Sequence, residues 1–325
     1  MSMALYGPDG FYTGDGQAGR RGDFITSPEV GPLFGTVVAR AIDDVWRRVG
    51  SPQDFQIVEV GAGPGTLARS ILAARPACLG GRTDRYVSVE VSERQRTLHP
   101  SGVDSRATMP ESPFVGVILA NELLDNLPFR LAVYDGGWHE AMASTDGGRW
   151  VETLARLPDV PAYLPSAVPH GARAPLQSAA AEWTSGARQL LRGGQLMVID
   201  YMTPRTAELA ARPWREWLRT YRDHGCGSHY LNDVGRQDIT TQVCLDQLIA
   251  STGEPDQLRS QAQFLQRWGI DELVDEGRRV WQEQAGRPGL EAMRARSRIR
   301  ESEALLDPHG LGAFTVAEWV VESPD

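Results

Sequence analysis

Two acidic residues bracket a run of bare backbone in this chain. In Glu59-Val60-Gly61-Ala62-Gly63-Pro64-Gly65-Thr66-Leu67, three glycines alternate with other residues between an apolar stretch and an amphipathic one. Glycines let a chain turn sharply and let a ligand approach its peptide groups, and a helix starting at Thr66 offers unpaired N–H groups. The spacing is GxGxG rather than GxGxxG, with Thr66 where a dinucleotide fingerprint has its third glycine. Glu59 would repel a pyrophosphate and suits a cationic or zwitterionic ligand. Glu90, closing the next apolar run, is placed to accept hydrogen bonds from two ribose hydroxyls. A nucleoside without phosphates, joined to an amino acid, satisfies this set, which describes S-adenosylmethionine. Glu59, Gly61, Gly63, Gly65, Thr66, Leu67 and Glu90 are therefore the candidate cofactor-binding residues.

A second set of acids could handle a methyl acceptor. Glu122 and Asp125 follow the apolar run Val115–Ala120, where open α/β sheets place their ligands. A helical first turn there would put both on one face. Asp238 is a third candidate, although aspartates are also common at helix starts and turns. His224 and His229 could serve as a base for a hydroxyl or amine acceptor. The six histidines show no metal-ligand spacing, so no metal is expected. The chain has no lysine, which excludes a Walker A, Schiff-base or kinase-type lysine. No GxSxG or Cys-His signature points to covalent catalysis.

The elements that must position these residues follow from periodicity. Phe55–Val60, Tyr86–Val91, Val115–Ala120 and Gln195–Tyr201 are short apolar, β-rich runs, with helical patterns or Gly turns between them. That alternation is an α/β fold with a mostly parallel sheet and crossover helices. Apolar residues from Phe34 to Trp46 recur every three or four positions behind Ser27-Pro28-Glu29, a helix start capped by Ser27. Gly193-Gly194 reads as a turn between helix and strand. Arg130–Leu157, with Gly136-Gly137 and Gly147-Gly148, reads as a β-hairpin excursion. Pro204–Pro288, with Trp214, Trp217, Tyr221, Trp268 and Trp281, reads as a largely helical insertion, and 313–321 as a returning strand. The expected organisation is one domain: an arm and helix over 1–51, a core over 52–203 and 290–325, and a substrate-side insertion over 204–289.

Composition narrows the class. The chain has 325 residues, 41% hydrophobic and 23% charged, the balance of an ordinary globular protein. A net charge of −9 argues against general nucleic-acid or anionic-membrane binding. Three cysteines without a CxxC, and no basic-apolar leader, fit reduced thiols in a cytoplasm.

Several blocks together resemble the MidA-like methyltransferases, relatives of the mitochondrial complex I assembly factor that methylates a protein arginine. They are Gly22-Asp23-Phe24-Ile25-Thr26-Ser27-Pro28-Glu29-Val30-Gly31-Pro32, Ala120-Asn121-Glu122-Leu123-Leu124-Asp125-Asn126-Leu127-Pro128 and Arg236-Gln237-Asp238-Ile239-Thr240-Thr241, followed by Gln263-Phe264-Leu265 and Leu305-Leu306-Asp307-Pro308. The resemblance implies a class I, Rossmann-like methyltransferase with a seven-stranded sheet and a helical region over the active site. It also implies that Thr26, Ser27, Glu29, Asn121 and Glu122 join in holding the cofactor. The acceptor it implies is an arginine of a partner protein, gripped by Glu122, Asp125 and Asp238. Arg219–Val234 departs from the family pattern and Asn126 replaces a small residue. A peptide or small natural product, methylated on N or O, therefore stays open as acceptor, as do a homodimer and a cofactor-binding assembly role with little turnover.

Overall fold

The computed structural model describes residues 1–13, 26–222, 225–286 and 289–323. The chain divides into two compact units, each assembled from three stretches: 25–121 with 188–199 and 255–325, and 1–24 with 122–187 and 200–254.

The first of these units holds a seven-stranded sheet whose strands lie in the order 257–260, 315–321, 191–200, 114–121, 56–60, 86–89 and 104–106. Its strands are β1 (Gln56–Val60), β2 (Tyr86–Val89), β3 (Asp104–Arg106), β4 (Phe114–Asn121), β9 (Leu191–Asp200), β15 (Gln257–Ser260) and β16 (Thr315–Val321). β1 pairs in parallel with β2 and β4, β2 with β3, and β4 with β9, while β15 runs antiparallel to β16. The mostly parallel sheet expected from the sequence is thus present, with β16 as the returning strand. Helices α2 (Ser27–Val30), α3 (Pro32–Arg48), α4 (Thr66–Ala73), α5 (Glu93–Arg96), α9 (Gln261–Arg267), α10 (Ile270–Gln284) and α11 (Leu290–Leu305) complete the unit. Phe34, Val37, Val38, Ala41, Ile42 and Val45 bury one face of α3 against Leu67, Ala68 and Ile71 of α4 and against Ile57 and Tyr86 of the sheet. A Cβ on Gly35 would come within 2.4 Å of Ser70 Cβ, so a bare residue lets α3 lie against α4.

Two local readings change here. The helix expected to run on from Ser27 breaks at Gly31, and α3 restarts at Pro32. Glu301 of α11 takes the place that a side chain on Gly31 would fill, with its carboxyl 2.2 Å from a built Cβ, and accepts from Leu33 N at 2.8 Å. A carboxylate from the far end of the sequence thus satisfies an early amide of α3, where the helix dipole favours negative charge. Gly193-Gly194 is not a turn but part of β9, opposite Val115-Gly116. Gly194 has φ +126°, and a Cβ there would sit 1.8 Å from Gly116 O, so the pair permits a close backbone approach at a register shift.

The other unit begins with α1 (Ser2–Tyr6) and contains three small sheets. β5 (Arg130–Tyr134), β6 (Trp138–Asp146), β7 (Arg149–Arg156) and β8 (Arg173–Leu176) form an antiparallel sheet in the order β7-β6-β5-β8, which includes the expected hairpins. After α6 (Ser178–Gln189), β10 (Met202–Thr203) pairs with β14 (Val243–Cys244). β11 (Leu218–Arg222) pairs antiparallel with β12 (Gly225–Cys226) and β13 (Asp238–Thr241). With α7 (Thr206–Ala210) and α8 (Leu245–Thr252), these replace the largely helical content expected from 204 onward, which is realised only after β15. Trp214, Trp217 and Tyr221 do recur at helical spacing, but Trp214 lies in a 3-10 turn and Tyr221 in β11. Trp217 is fully buried with Leu5, Leu209 and Cys244, and its indole N–H donates to Leu209 O at 2.9 Å. Core packing, the expected role of the insertion's tryptophans, fits that residue.

Candidate active site

The glycine turn after β1 is backbone geometry that side chains would spoil. Gly61, Gly63 and Gly65 have φ of 71°, 53° and 78°, in the left-handed region that glycine enters without a Cβ penalty. The N–H groups of Gly61 and Ala62 both donate to Val89 O, tying the turn to the end of β2. Gly65 stands at the N-cap of α4, and a Cβ there would lie 2.9 Å from Pro100 Cδ. The first amides of α4, at Thr66 and Leu67, precede any helical acceptor. The Leu67 side chain is buried in the core, which leaves its backbone as the part able to meet a ligand.

Glu90 is buried against this turn. Its Oε2 accepts from Gly63 N at 2.9 Å and its Oε1 from Ser92 N at 2.8 Å. A carboxylate has about four acceptor positions, so two remain for hydroxyl donors. His99 clamps the turn from the opposite polarity, with Nε2 2.9 Å from Gly63 O and Nδ1 2.8 Å from Ser105 Oγ. A carbonyl only accepts, so Nε2 carries the proton and Nδ1 accepts from the hydroxyl. Burial, the largest influence on it, lowers the His99 pKa and favours that neutral form. Glu59 does not stand open as a surface charge. It is buried, accepts from the Tyr86 hydroxyl at 2.7 Å, and burial pushes its carboxyl up to about 7.

The segment Thr26–Gly35 is held from the chain's later part. Thr26, not Ser27, occupies the N-cap position of α2, without a side-chain cap. Ser27 is fully buried and donates to Gln261 Oε1 at 2.9 Å, and Gln261 N donates in turn to Phe314 O at 2.7 Å. Glu29 lies in the single turn of α2 with Oε2 buried. Asn121 closes β4 opposite Ile199, with its side-chain oxygen buried.

In the other unit the acids gather more tightly than their spacing suggested, and by a different route. No α-helix follows β4. Glu122 has φ +52°, and a short 3-10 turn covers Leu124–Asn126, so Glu122 and Asp125 do not share a helix face. A non-glycine residue in the left-handed region costs energy and is held there by its surroundings. Asp125 is 2% exposed, and its Oδ2 accepts from the Tyr201 hydroxyl at 2.5 Å and the Thr240 hydroxyl at 2.6 Å. Asp200 is fully buried and accepts from the N–H groups of Leu124, Asp125 and Tyr201. Asp238 accepts from Tyr12 Oη at 3.1 Å and from Asn126 Nδ2 at 3.1 and 3.2 Å.

Burial raises all three carboxyls. Asp238 reaches about 7, with the charge of Asp125 adding to burial, and Asp200 rises well above the usual range through burial, Asp125 and Glu122. Among the described residues no arginine pairs with Asp125, Asp200 or Asp238, and no group of three or more His, Cys, Asp or Glu is arranged to hold a metal ion. Asp200, Tyr201, Thr240 and Tyr12 escaped the sequence reading as site residues. Asp200-Tyr201 could have been found, because Asp200 closes a parallel strand and Tyr201 leaves it, as Glu122 leaves β4. His224 lies outside the described residues.

A seven-stranded, mostly parallel sheet with a glycine turn after its first strand and an acid at the end of its second is the frame of a class I methyltransferase. The sequence profile of S-adenosyl-L-methionine-dependent methyltransferases of the MidA-like kind matches residues 37–262, and the chain belongs to that family. It is similar to a superfamily member from Burkholderia thailandensis crystallised with S-adenosylhomocysteine. That match has 27% identity and a TM-score of 0.82, and covers 98% of this chain and 86% of that one. A native high-resolution structure of a protein of that superfamily from the same organism matches at 26% identity, with a TM-score of 0.79, covering 98% and 85%. Among curated proteins, the Drosophila melanogaster homolog of the mitochondrial protein arginine methyltransferase NDUFAF7 is 31% identical over 208 residues. That match covers 51% of this chain but only 46% of the relative. The Danio rerio NDUFAF7 is 25% identical over 321 residues, 83% of this chain and 72% of that protein. The chain is thus an S-adenosylmethionine-dependent enzyme.

Proposed function

We propose that the enzyme methylates a guanidinium nitrogen of an arginine in a partner protein. The observation that carries this reading is the group of buried carboxyls at Asp125, Asp200 and Asp238, which among the described residues has hydroxyl and amide donors but no cation. Buried acids in one place raise one another's pKa, and an entering guanidinium relieves that repulsion. The names of the NDUFAF7 relatives support the same acceptor.

The residues divide the work. The backbone of Gly61–Gly65, the first amides of α4 and the remaining acceptor positions of Glu90 fit a nucleoside that brings no phosphate, and they would hold the cofactor. Bound there, S-adenosylmethionine supplies an electrophilic methyl group on a positively charged sulfur. Arginine is protonated at any ordinary pH, so the protein must localise its charge away from the attacking nitrogen. Carboxylates in a forked arrangement do this, because two parallel N–H···O bonds hold the plane of the guanidinium. Methylation of an arginine releases one proton, and Asp238, with its carboxyl near neutrality, is suited to take it. Tyr12 and Asn126 fix that carboxyl by donating to it.

Incubation with methyl-labelled cofactor and an extract of the source organism tests the reading. The expected result is label in a protein band that yields methylarginine on hydrolysis. Label confined to small molecules would overturn it.

A further inference from the structure

We propose that the cleft walled by Trp214, Arg215, Arg219 and His229 binds an acidic side chain of the acceptor protein, close in sequence to the methylated arginine. The inference rests on the arginine reading for what the bound segment does, but the cleft's own chemistry can be tested without it. The cleft has a volume of about 440 Å³, and Thr220 and Ser228 line it beside those four residues. In a chain of net charge −9 it is a local concentration of positive charge.

Its cations differ from those around it. Arg173 faces the same indole, 5.3 Å from the Trp214 ring centre, but it is neutralised by two 2.7 Å hydrogen bonds to Glu152 and one to Tyr230. Arg222 pairs with Asp233, and Arg212 with Glu216. Arg215 and Arg219 are exposed, and among the described residues neither meets a carboxylate. Arg215 lies 4.3 Å from the Trp214 ring centre, and Arg219 Nε donates only to Glu216 O. A guanidinium laid on an indole keeps its hydrogen-bonding edge free for a planar, bidentate partner. His229 stacks on Tyr230 at 4.2 Å, and burial and the two arginines Arg173 and Arg215 depress its pKa, while Glu152 works against them. An anion in the cleft would sit well with these groups, and a second cation would not.

The place of the cleft in the sheet says where that anion belongs. Arg219 lies directly across the β11–β13 ladder from Thr240, and Tyr221 directly across from Asp238. Opposite residues of an antiparallel pair project to the same face, about 5 Å apart. Asp238 lies on β13 itself and Thr240 donates to Asp125, so the strand beside Arg219 carries one of the acids and holds a second. An extended peptide advances about 3.3 Å per residue. A segment whose arginine reaches the acids would therefore bring a residue only a few positions away to Arg219 and Arg215. Opposite charges on the two subsites also fix the direction in which the segment lies.

Fluorescence anisotropy with the full chain separates the two claims. The probe is a labelled Gly-Glu-Gly-Glu-Gly peptide, which contains no arginine, titrated in the presence of saturating S-adenosylhomocysteine. Wild type should bind it about tenfold more tightly than the Gln-substituted peptide, and Arg215→Ala with Arg219→Ala should lose that preference. Unchanged melting temperature and S-adenosylhomocysteine affinity would show the variant folded; if it is not, Arg219→Gln alone should still weaken the Glu peptide selectively. Equal binding of the Glu and Gln peptides by wild type, absence of binding, or competition by succinate at the peptide's own concentration would overturn the proposal. Binding of the acidic peptide without methylation of any arginine substrate would sink the functional reading and leave the cleft standing.

Discussion

The glycine turn and the acid cluster are built on opposite principles. The glycine turn after β1 is made of backbone whose charges are already met, with Glu90 taking two amides and His99 holding a carbonyl. The acid cluster is made of buried side chains, three carboxyls that among the described residues have hydroxyl and amide donors but no cation beside them. A satisfied frame gives a fixed shape for a ligand that is the same in every turnover. On the proposed reading, an incoming guanidinium would relieve the mutual repulsion of the buried carboxyls, and that relief would select the acceptor.

This contrast can be broken most severely at Asp125. Asp125→Asn should lower turnover by about a hundredfold or more while S-adenosylhomocysteine affinity, read by calorimetry, changes less than about twofold. Equal losses of both would erase the division of labour. Gly65→Ala is the converse. Its methyl must enter the left-handed region against Pro100, so cofactor affinity should fall about tenfold or more, with the turnover rate at saturating cofactor near that of wild type. His99→Ala should weaken cofactor binding by a smaller factor, about fivefold, since it removes one hydrogen bond to the turn and leaves the backbone path intact.

The smallest effect concerns stability. Glu59, in one region, and Asp238, in the other, both have carboxyls raised to about 7. Groups raised above their unfolded values contribute stability that is complete at acid pH and is lost as pH rises through the folded value. The melting temperature of the cofactor-free enzyme should therefore fall by about a few degrees between roughly pH 5 and 8. Asp238→Asn should remove part of that fall and leave the share due to Glu59. A melting temperature that rises over this interval would contradict the burial of both acids.

The regions also differ in how far their sequence announced them. Everything in the glycine turn lies within a few residues of Gly63 except Glu90 and His99, so spacing alone exposed its strand, turn and helix. The acid cluster draws on residues 12, 125, 200 and 238, which no local period connects. Asp125 is legible as an acid past a strand end and Asp238 as an acid of the insertion, yet the expected helix face of Glu122 and Asp125 does not form because Glu122 takes a left-handed turn that composition does not encode. The sheet's rhythm was readable because apolar strands repeat. The expected helical insertion does not form because Trp214, Trp217 and Tyr221 keep helical spacing while Trp214 belongs to a 3-10 turn and Tyr221 to β11, whose long-range pairing with β13 decides.

Each compact unit is threaded from three separate stretches, and the main chain passes from one to the other five times. Neither half therefore exists as an uninterrupted piece of gene. A cloned fragment, a proteolytic nick or a single crossover cannot deliver one of them whole without severing the other.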